Sequence, residues 1–381
     1  MFSSRLNWDV PPNALARLLA GKRETGAPIL DLTESNPTAA GIAYSGEILA
    51  ALSDRRSLRY EPSPTGLPEA REAVSAYYAR RGHTVSPERI LLTASTSEAY
   101  AYLFKLLASP GDQILVPRPS YPLFDFLAAL ESVEVVRYPL IYHDGWSVDF
   151  DALGHAVTPR TRAVVVVNPN NPTGSFLKHD DLRRLADVGL PILSDEVFSD
   201  YAFGPDPARL ATLVDVTSPP VFCLSGLSKV AGLPQMKLGW IVANDAQAFD
   251  RLELIADTYL SVATPVQHAA ARLLAAGERI RASIAARVRY NLGVLQTCVA
   301  RRPELTLLRV EGGWYATLQV PSLRSEEEWA LELLERYDVL VQPGYFYDFD
   351  REAFLVLSLL PPPDAFQAGI DRLGAALRPM E

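Results

Sequence analysis

The middle of this 381-residue chain alternates short, β-branched apolar runs with helical patterns, and no other feature limits its fold as strongly. Ile90-Leu91-Leu92-Thr93 reads as a strand and leads into a helix running to about Leu107, closed by the turn Ser109-Pro110-Gly111-Asp112. Residues 113–116, a helix around 123–130 and residues 133–138 repeat the pattern. Residues 163–167 are wholly apolar, as expected of a strand covered on both faces. Residues 191–194, 221–224 and 238–242 complete the set. Strands joined by crossover helices predict an α/β fold built on a mostly parallel, doubly wound sheet. Such sheets bind ligands outside the carboxyl ends of their strands, so chemistry is sought just past each apolar run.

The rest of the chain reads differently. Residues 246–300 are largely helical. The last third reads as strands at 306–309 and 314–320, a helix at 326–337, strands at 339–342 and 354–359, and a helix at 364–377. That pattern predicts a smaller α+β unit, and the amphipathic stretch from Pro11-Pro12 to Leu19 is expected to pack on it. A chain of this length exceeds what one core usually supports, so two domains are expected. With 48% hydrophobic and 21% charged residues the balance is that of a globular protein in water. No run approaches the roughly 18 apolar residues of a membrane span. The start, Met1 to Asp9, has no apolar h-region, which makes the cytoplasm the expected address. A net charge of −9, from 36 basic and 45 acidic residues, argues against a nucleic-acid surface. Cys223 and Cys298 lie too far apart in sequence for a metal-ligand pair and are too few for a disulfide scaffold; no metal is expected.

The chemistry-bearing residues follow the strands. Ser225-Gly226-Leu227-Ser228-Lys229 comes after the run at 221–224, which puts a lysine among small residues at a strand's carboxyl end. Such a lysine can lose its proton near neutral pH and attack an aldehyde. Asp195 ends the run at 191–194, a position suited to pairing with a buried cationic ring nitrogen. Asn168-Pro169-Asn170-Asn171-Pro172-Thr173-Gly174 ends the most apolar strand in a rigid turn that can aim one amide at a ligand. Ser95-Thr96-Ser97-Glu98 opens a helix, where backbone amides and hydroxyls form an anion site, or where Thr96 or Ser97 is simply an N-cap. Pro119-Ser120-Tyr121-Pro122 holds an aromatic ring between prolines. A lysine, a carboxylate, an aimed amide, a flat ring and a phosphate cradle are the parts of a pyridoxal 5′-phosphate site.

In order and spacing these motifs resemble the class I/II aminotransferases, fold-type I pyridoxal-phosphate enzymes, from about Asp31 to the C-terminus. Asn171, Asp195 and Lys229 are 24 and 34 residues apart (195 − 171 and 229 − 195), similar to the family's Asn, Asp and Lys. The resemblance implies that Lys229 carries the cofactor as a Schiff base and Asp195 keeps the ring nitrogen protonated. It implies that Asn171 bonds the ring hydroxyl and that Tyr121 stacks on the ring. Ser225, Ser95, Thr96 and Ser97 are then phosphate contacts. Tyr60, in Arg59-Tyr60-Glu61-Pro62, is similar to a tyrosine that reaches the phosphate of a neighbouring subunit, which implies a homodimer with shared active sites. Asn36-Pro37 resembles a loop that closes over the substrate. The implied division is a large cofactor domain over 41–262 and a small domain from 1–40 and 263–381.

Three positions depart from the family's pattern. Lys237 stands eight residues after Lys229, where an arginine usually clamps the phosphate; it keeps the charge and loses the bidentate fork. Phe198 stands where a phenol usually bonds the ring hydroxyl, and Tyr201 is the candidate replacement. Val356 stands where an arginine usually grips the substrate carboxylate, which leaves Arg351, the nearest cation in sequence, or a carboxylate held differently or absent. The implied activity is transfer of an amino group from an amino acid or amine to a 2-oxo acid. A β-lyase or other α-carbon elimination needs the same Lys229, Asp195 and Asn171 and stays open beside it. So does a non-catalytic ligand-binding or sensing protein, which expects a basic helix-turn-helix extension that the residues before Asp31 do not show, and so does an inactive paralogue.

Overall fold

The structure, a computed structural model, describes residues 2–6, 8 and 11–377. Met1, Asn7 and Asp9 of the start read above, and residues 378–381 of the small-domain range, lie outside the described residues. Helix α1 (Ala14–Glu24) precedes the short strand β1 (Leu30–Asp31), and helices α2 (Glu47–Ala51) and α3 (Pro68–Arg80) lead into the main sheet. Its strands are β2 (Ile90–Thr93), β3 (Gln113–Arg118), β4 (Glu134–Tyr142), β5 (Trp146–Val148), β6 (Thr161–Val167), β7 (Ile192–Asp195), β8 (Val221–Gly226) and β9 (Gly239–Ala243). Between them run α4 (Thr96–Leu107), α5 (Phe124–Leu130), α6 (Phe150–Ala156), α7 (His179–Asp187) and the single turn α8 (Leu227–Val230). Helices α9 (Ala246–Tyr259) and α10 (Thr264–Val299) follow. The chain ends with β10 (Thr306–Leu307), β11 (Tyr315–Gln319), α11 (Glu326–Tyr337), β12 (Val339–Leu340), β13 (Gln342–Pro343), β14 (Phe354–Ser358) and α12 (Pro363–Ala376).

The main sheet has the order β2-β9-β8-β7-β6-β3-β4-β5. Strands β4, β3, β6, β7 and β8 pair in parallel, whereas β9 runs against both β8 and β2, and β5 against β4. The apolar runs are unbroken because both faces are covered. Leu91, Ile114, Val165, Leu193, Phe222 and Ile241 pack with α4, α5 and α9, while Leu92, Leu115, Val164, Ile192, Cys223 and Trp240 join the core on the α3 and α10 side. Strand β5 escaped the sequence reading because three residues are too few for alternation to register.

The smaller sheet has the order β10-β11-β14-β13 and is antiparallel throughout. The single strand expected at 339–342 is two strands. Val339–Leu340 pair in parallel with Leu30–Asp31, and Gln342–Pro343 turn to pair with β14. A buried apolar run carries no mark of the point where it changes partners. Helix α1 packs on α11, as the amphipathic start predicts. The 36-residue α10 touches α2, α3, α8, α12 and β10, and so joins the helices beside the main sheet, the Lys229 segment and the smaller sheet.

Because β9 is reversed, its first residue meets the last residues of β2 and β8 at one edge of the sheet: Thr93 and Gly226 both pair with Gly239. That edge also carries the ends of β6 and β7, and the smaller sheet stands over it.

Candidate active site

A cavity of about 190 Å³ opens at this edge, lined from the main sheet by Ser95, Thr96, Tyr121, Phe124, Val167, Asn171, Asp195, Val197, Phe198, Gly226, Ser228, Lys229 and Leu238. Ser35 and Tyr315 close it from the other side. Each lining motif leaves the end of its own strand, so residues scattered over a hundred and more positions converge without any long-range feature in the sequence.

Lys229 sits in the one-turn α8, anchored by a bond from Leu227 N to Leu238 O of 2.9 Å. Its backbone carbonyl accepts from the Tyr201 hydroxyl at 2.6 Å. Its Nζ lies 4.4 Å from the Trp314 ring centroid and 5.4 Å from that of Phe198. Burial lowers the Lys229 pKa from its ordinary 10.5 to about 8, with Asp195 pulling the other way. Cation–π contact moderates the cost of holding the ammonium here and does not replace water. The result is a lysine whose neutral, nucleophilic form is accessible near pH 7.

Asp195 ends β7. Its Oδ2 accepts from the Tyr100 hydroxyl at 3.0 Å and its Oδ1 from Val197 N at 3.2 Å. Burial raises its pKa to about 6, the two hydrogen bonds hold it down, Glu196 adds to the rise, and Lys229 opposes it. Glu196 itself is spent on structure, accepting from Ser194 Oγ, Thr212 Oγ1 and Leu213 N.

The asparagine-rich turn divides its labour. Asn168 donates to Leu210 O at 2.8 Å and accepts from Leu177 N at 3.0 Å. Asn170 donates to Pro119 O and Thr173 Oγ1, and accepts from Ser120 Oγ. Asn171 is different: its buried Oδ1 has no partner, and it lines the cavity. Ser225 Oγ, equally buried, is unpartnered as well, but Ser225 stands outside the cavity lining, one residue before Gly226. Buried polar atoms left open beside a cavity mark the place of a bound group. Gly226 and Gly239 narrow the same floor, since a Cβ on Gly239 would lie 2.9 Å from Thr93 Oγ1 and 3.2 Å from Thr96 N. Behind them, the N-terminus of α4 presents its first amides to the cavity. Pyridoxal phosphate fits this set: an amine for its aldehyde, a carboxylate for its ring nitrogen, an open amide, and a hydroxyl-lined helix start for its phosphate.

The remaining expected residues fall in other places. The N-cap of α4 is Ser95, which accepts from Glu98 N at 3.2 Å, and not Thr96 or Ser97; Ser97 lies in the first turn and does not line the cavity. Lys237 is exposed, adopts φ +49° at the end of a short 3-10 turn, and stands outside the cavity lining. Tyr201 does not take the vacant phenol's place, because its hydroxyl is committed to the Lys229 carbonyl. Arg351 is exposed and apart from the cavity. The Asn36 side chain accepts from Thr38 N and Thr38 Oγ1, closing a local turn, and its neighbour Ser35 is the one that lines the cavity. Tyr60 is 75% exposed, beside a separate small groove formed with Leu260 and Ser261. Sequence reasoning missed Tyr100, Ser228 and Tyr315. Tyr100 had a signal, since it lies one helical turn after Thr96 and therefore on the same face of α4.

Comparison with known proteins agrees with this geometry. The family model described as aminotransferase class I and II matches residues 28–365. Human tyrosine aminotransferase is 26% identical over 393 residues, covering 94% of this chain and 86% of that protein. An S-alkyl-thiohydroximate lyase of Arabidopsis thaliana is 36% identical over 197 residues, 49% of this chain and 41% of the lyase. The chain spans between 38% and 47% of the length of that lyase and of two cereal nicotianamine aminotransferases. The fold matches a solved alanine aminotransferase from Pyrococcus furiosus with a TM-score of 0.88, 24% identity and 99% of both chains covered.

Proposed function

We propose a transamination for this site, starting from the premise that the chain belongs to the class I and II aminotransferases, whose members use pyridoxal 5′-phosphate. The observation that carries the reading is a single cavity lined by a buried lysine of lowered pKa, a buried aspartate, and an asparagine whose buried Oδ1 has no partner. When bound, the cofactor supplies an aldehyde that takes up an amino group and a ring that draws electrons from the donor's α-carbon.

The protein's own groups do the rest. Lys229 would hold the cofactor through its aldehyde carbon, and Asp195 would keep a proton on the ring nitrogen. Asn171 and Ser225 give the ring oxygen and the phosphate the partners that these side chains lack within the protein. Ser95 and Thr96 add the helix-start amides to the phosphate cradle, and Tyr121 covers the ring face. Displaced by the donor, the Lys229 Nζ accepts the proton of the donor's α-carbon. With a pKa of about 8, roughly a tenth of it is neutral at pH 7, enough for a general base. Trp314 and Phe198 keep water from that nitrogen.

Visible absorption tests the reading. Purified protein with pyridoxal phosphate is expected to show an imine band that an amino donor converts to the pyridoxamine form. Release of an oxo acid and ammonia, with the band unconverted, would instead assign an α-carbon elimination. Failure to form the band at all would end the cofactor reading.

The same reading covers the whole chain. A large domain over 41–262 fits the range of the eight-stranded sheet, and a small domain from 1–40 and 263–381 is supported by the pairing of β1 with β12. A homodimer with shared sites is supported by the exposure of Leu58 and Tyr60 on one short segment. Two unpaired cysteines fit a reducing cytoplasm.

A further inference from the structure

We infer that Trp314 is a positioning residue for the proton step: its indole face is the seat on which Lys229 Nζ rests as an ammonium between taking the donor's proton and giving it up. This rests on the transaminase reading and deepens it.

Two aromatic rings face the Lys229 amine. Its Nζ lies 4.4 Å from the Trp314 ring centroid and 5.4 Å from that of Phe198. Among the described residues Asp195 is the one charged group whose field reaches that nitrogen, and it forms no ion pair with it. Of the aromatic side chains, tryptophan offers a cation the strongest face. Trp314 is fully buried and stands outside the cavity lining, so a molecule that fills the cavity leaves this face to the lysine. Its indole Nε1 is buried without an acceptor, a cost that phenylalanine would not carry here. With that N–H unused, what the indole offers at this position is its face.

The ring is held from both sheets. Trp314 O accepts from Leu359 N at 2.7 Å, just past the end of β14, and Gly313 N donates to Tyr201 O at 3.0 Å. Gly312 packs so closely that a Cβ on it would lie 2.6 Å from Tyr201 O. The indole meets the rings of Phe198 and Tyr201 in T-shaped contacts, with centroids 5.3 and 5.2 Å away. The Tyr201 hydroxyl in turn holds the Lys229 carbonyl at 2.6 Å, so one tyrosine fixes both the seat and the backbone of the residue seated.

In the proton step Lys229 takes one proton from the donor's α-carbon and gives one up to the carbon that began as the cofactor's aldehyde. The amine therefore ends as it began. Between the two transfers Nζ carries a positive charge where burial disfavours it, and the Trp314 face offsets part of that cost. The other titratable groups nearby keep their charge while Lys229 titrates. Asp195, raised to about 6, is already an anion, and burial raises the phenols of Tyr121, Tyr201 and Tyr315.

The test changes the ring's field and keeps its shape. Trp314 is replaced, through a reassigned stop codon, by mono-, di- and trifluorotryptophan, whose fluorines draw charge from the ring face. Stopped-flow capture of pyridoxal phosphate by each cofactor-free protein, followed across pH, gives the pKa of the Lys229 amine. A stepwise fall is expected, reaching about half a unit or more with three fluorines. At about pH 9, where the amine is neutral in every variant, conversion of the imine band should slow in the same order, because a less basic amine takes the proton more slowly. The donor is the one that converts the unsubstituted protein fastest in a panel of amino acids and primary amines. A pKa that stays in place along the series overturns the inference and makes Trp314 a packing residue. So does a falling pKa with unchanged conversion, since the face then holds the amine at rest and takes no part in the reaction. If the unsubstituted protein forms the band and no donor converts it, the transaminase reading itself falls and takes the inference with it.

Discussion

At the scale of single residues the site depends on two displaced protonation equilibria. Burial lowers Lys229 from 10.5 to about 8, so the neutral amine that captures an aldehyde grows as pH rises toward 8 and levels off above it. Stopped-flow capture of pyridoxal phosphate by cofactor-free protein should therefore accelerate about tenfold per pH unit below 8 and then plateau. A flat profile between about pH 6 and 9 would refute the lowered pKa. Lys229→Ala should abolish the imine band while leaving the circular dichroism spectrum unchanged; a surviving band would show that another amine carries the cofactor. Asp195 is displaced in the other direction, upward to about 6 by burial, and the Tyr100 hydroxyl is one of the bonds that hold it down. Its anion exists above that pKa and is lost as pH falls through it. Tyr100→Phe should raise the pKa further and move the acid limb of kcat/KM upward by about 0.5 to 1 unit, the size of one hydrogen bond. An acid limb that stays in place would make Tyr100 a packing residue only.

At the scale of elements the proposed phosphate cradle is a close approach of three backbones. The start of β9, the end of β2 and the N-terminus of α4 meet at Gly239, where an added Cβ would lie 3.0 Å from Ser95 C and 3.2 Å from Thr96 N. These are main-chain atoms, so the helix start itself would have to move. Gly239→Ala is expected to cost about 1–3 kcal/mol in chemical unfolding, as overpacking does. It should also weaken pyridoxal phosphate about tenfold, the loss of a well-placed helix-end contact with an anion. Pyridoxal, which lacks the phosphate, serves as the control: an equal loss for both ligands would put the damage outside the cradle. Much of this was readable in advance. Ser95-Thr96 after an apolar run marks a helix start, and the helix expected at 326–337 has those limits in the structure, where Ser325 and Glu328 form a capping box. The strand at 339–342 was misread because its residues are buried throughout and its partners, Leu30–Asp31 and then Phe354–Ser358, lie far away in sequence.

At the scale of the whole molecule, α10 ties the Lys229 turn to α3 and to the smaller sheet, and Gly277 lets it approach Ala231 so closely that a Cβ would sit 2.3 Å from the alanine's own. The fold thus fixes the lysine from behind. The exposed segment carrying Leu58, 86% exposed, and Tyr60, 75% exposed, bears two large apolar side chains together, as does the exposed pair Tyr259-Leu260. Sedimentation should find a dimer, and Tyr60→Ala should weaken cofactor binding several-fold without altering the protomer's melting behaviour. A monomer whose cofactor affinity is indifferent to Tyr60 would confine the whole site to one chain.

The sequence by itself determined the mostly parallel sheet and the place of each motif at a strand's end, and it singled out Lys229, Asp195 and Asn171, which line one cavity. Each of these is local, written in apolar periodicity and in the few residues that follow. Only the tertiary structure decided which asparagine of the turn stays open and which residue caps α4. It also decided that Tyr201 supports the Lys229 backbone and that Tyr100 restrains Asp195. Those outcomes depend on which atoms of distant segments come within about 3 Å of one another, and hydrogen-bond partners and desolvation are set at that distance and not by order along the chain.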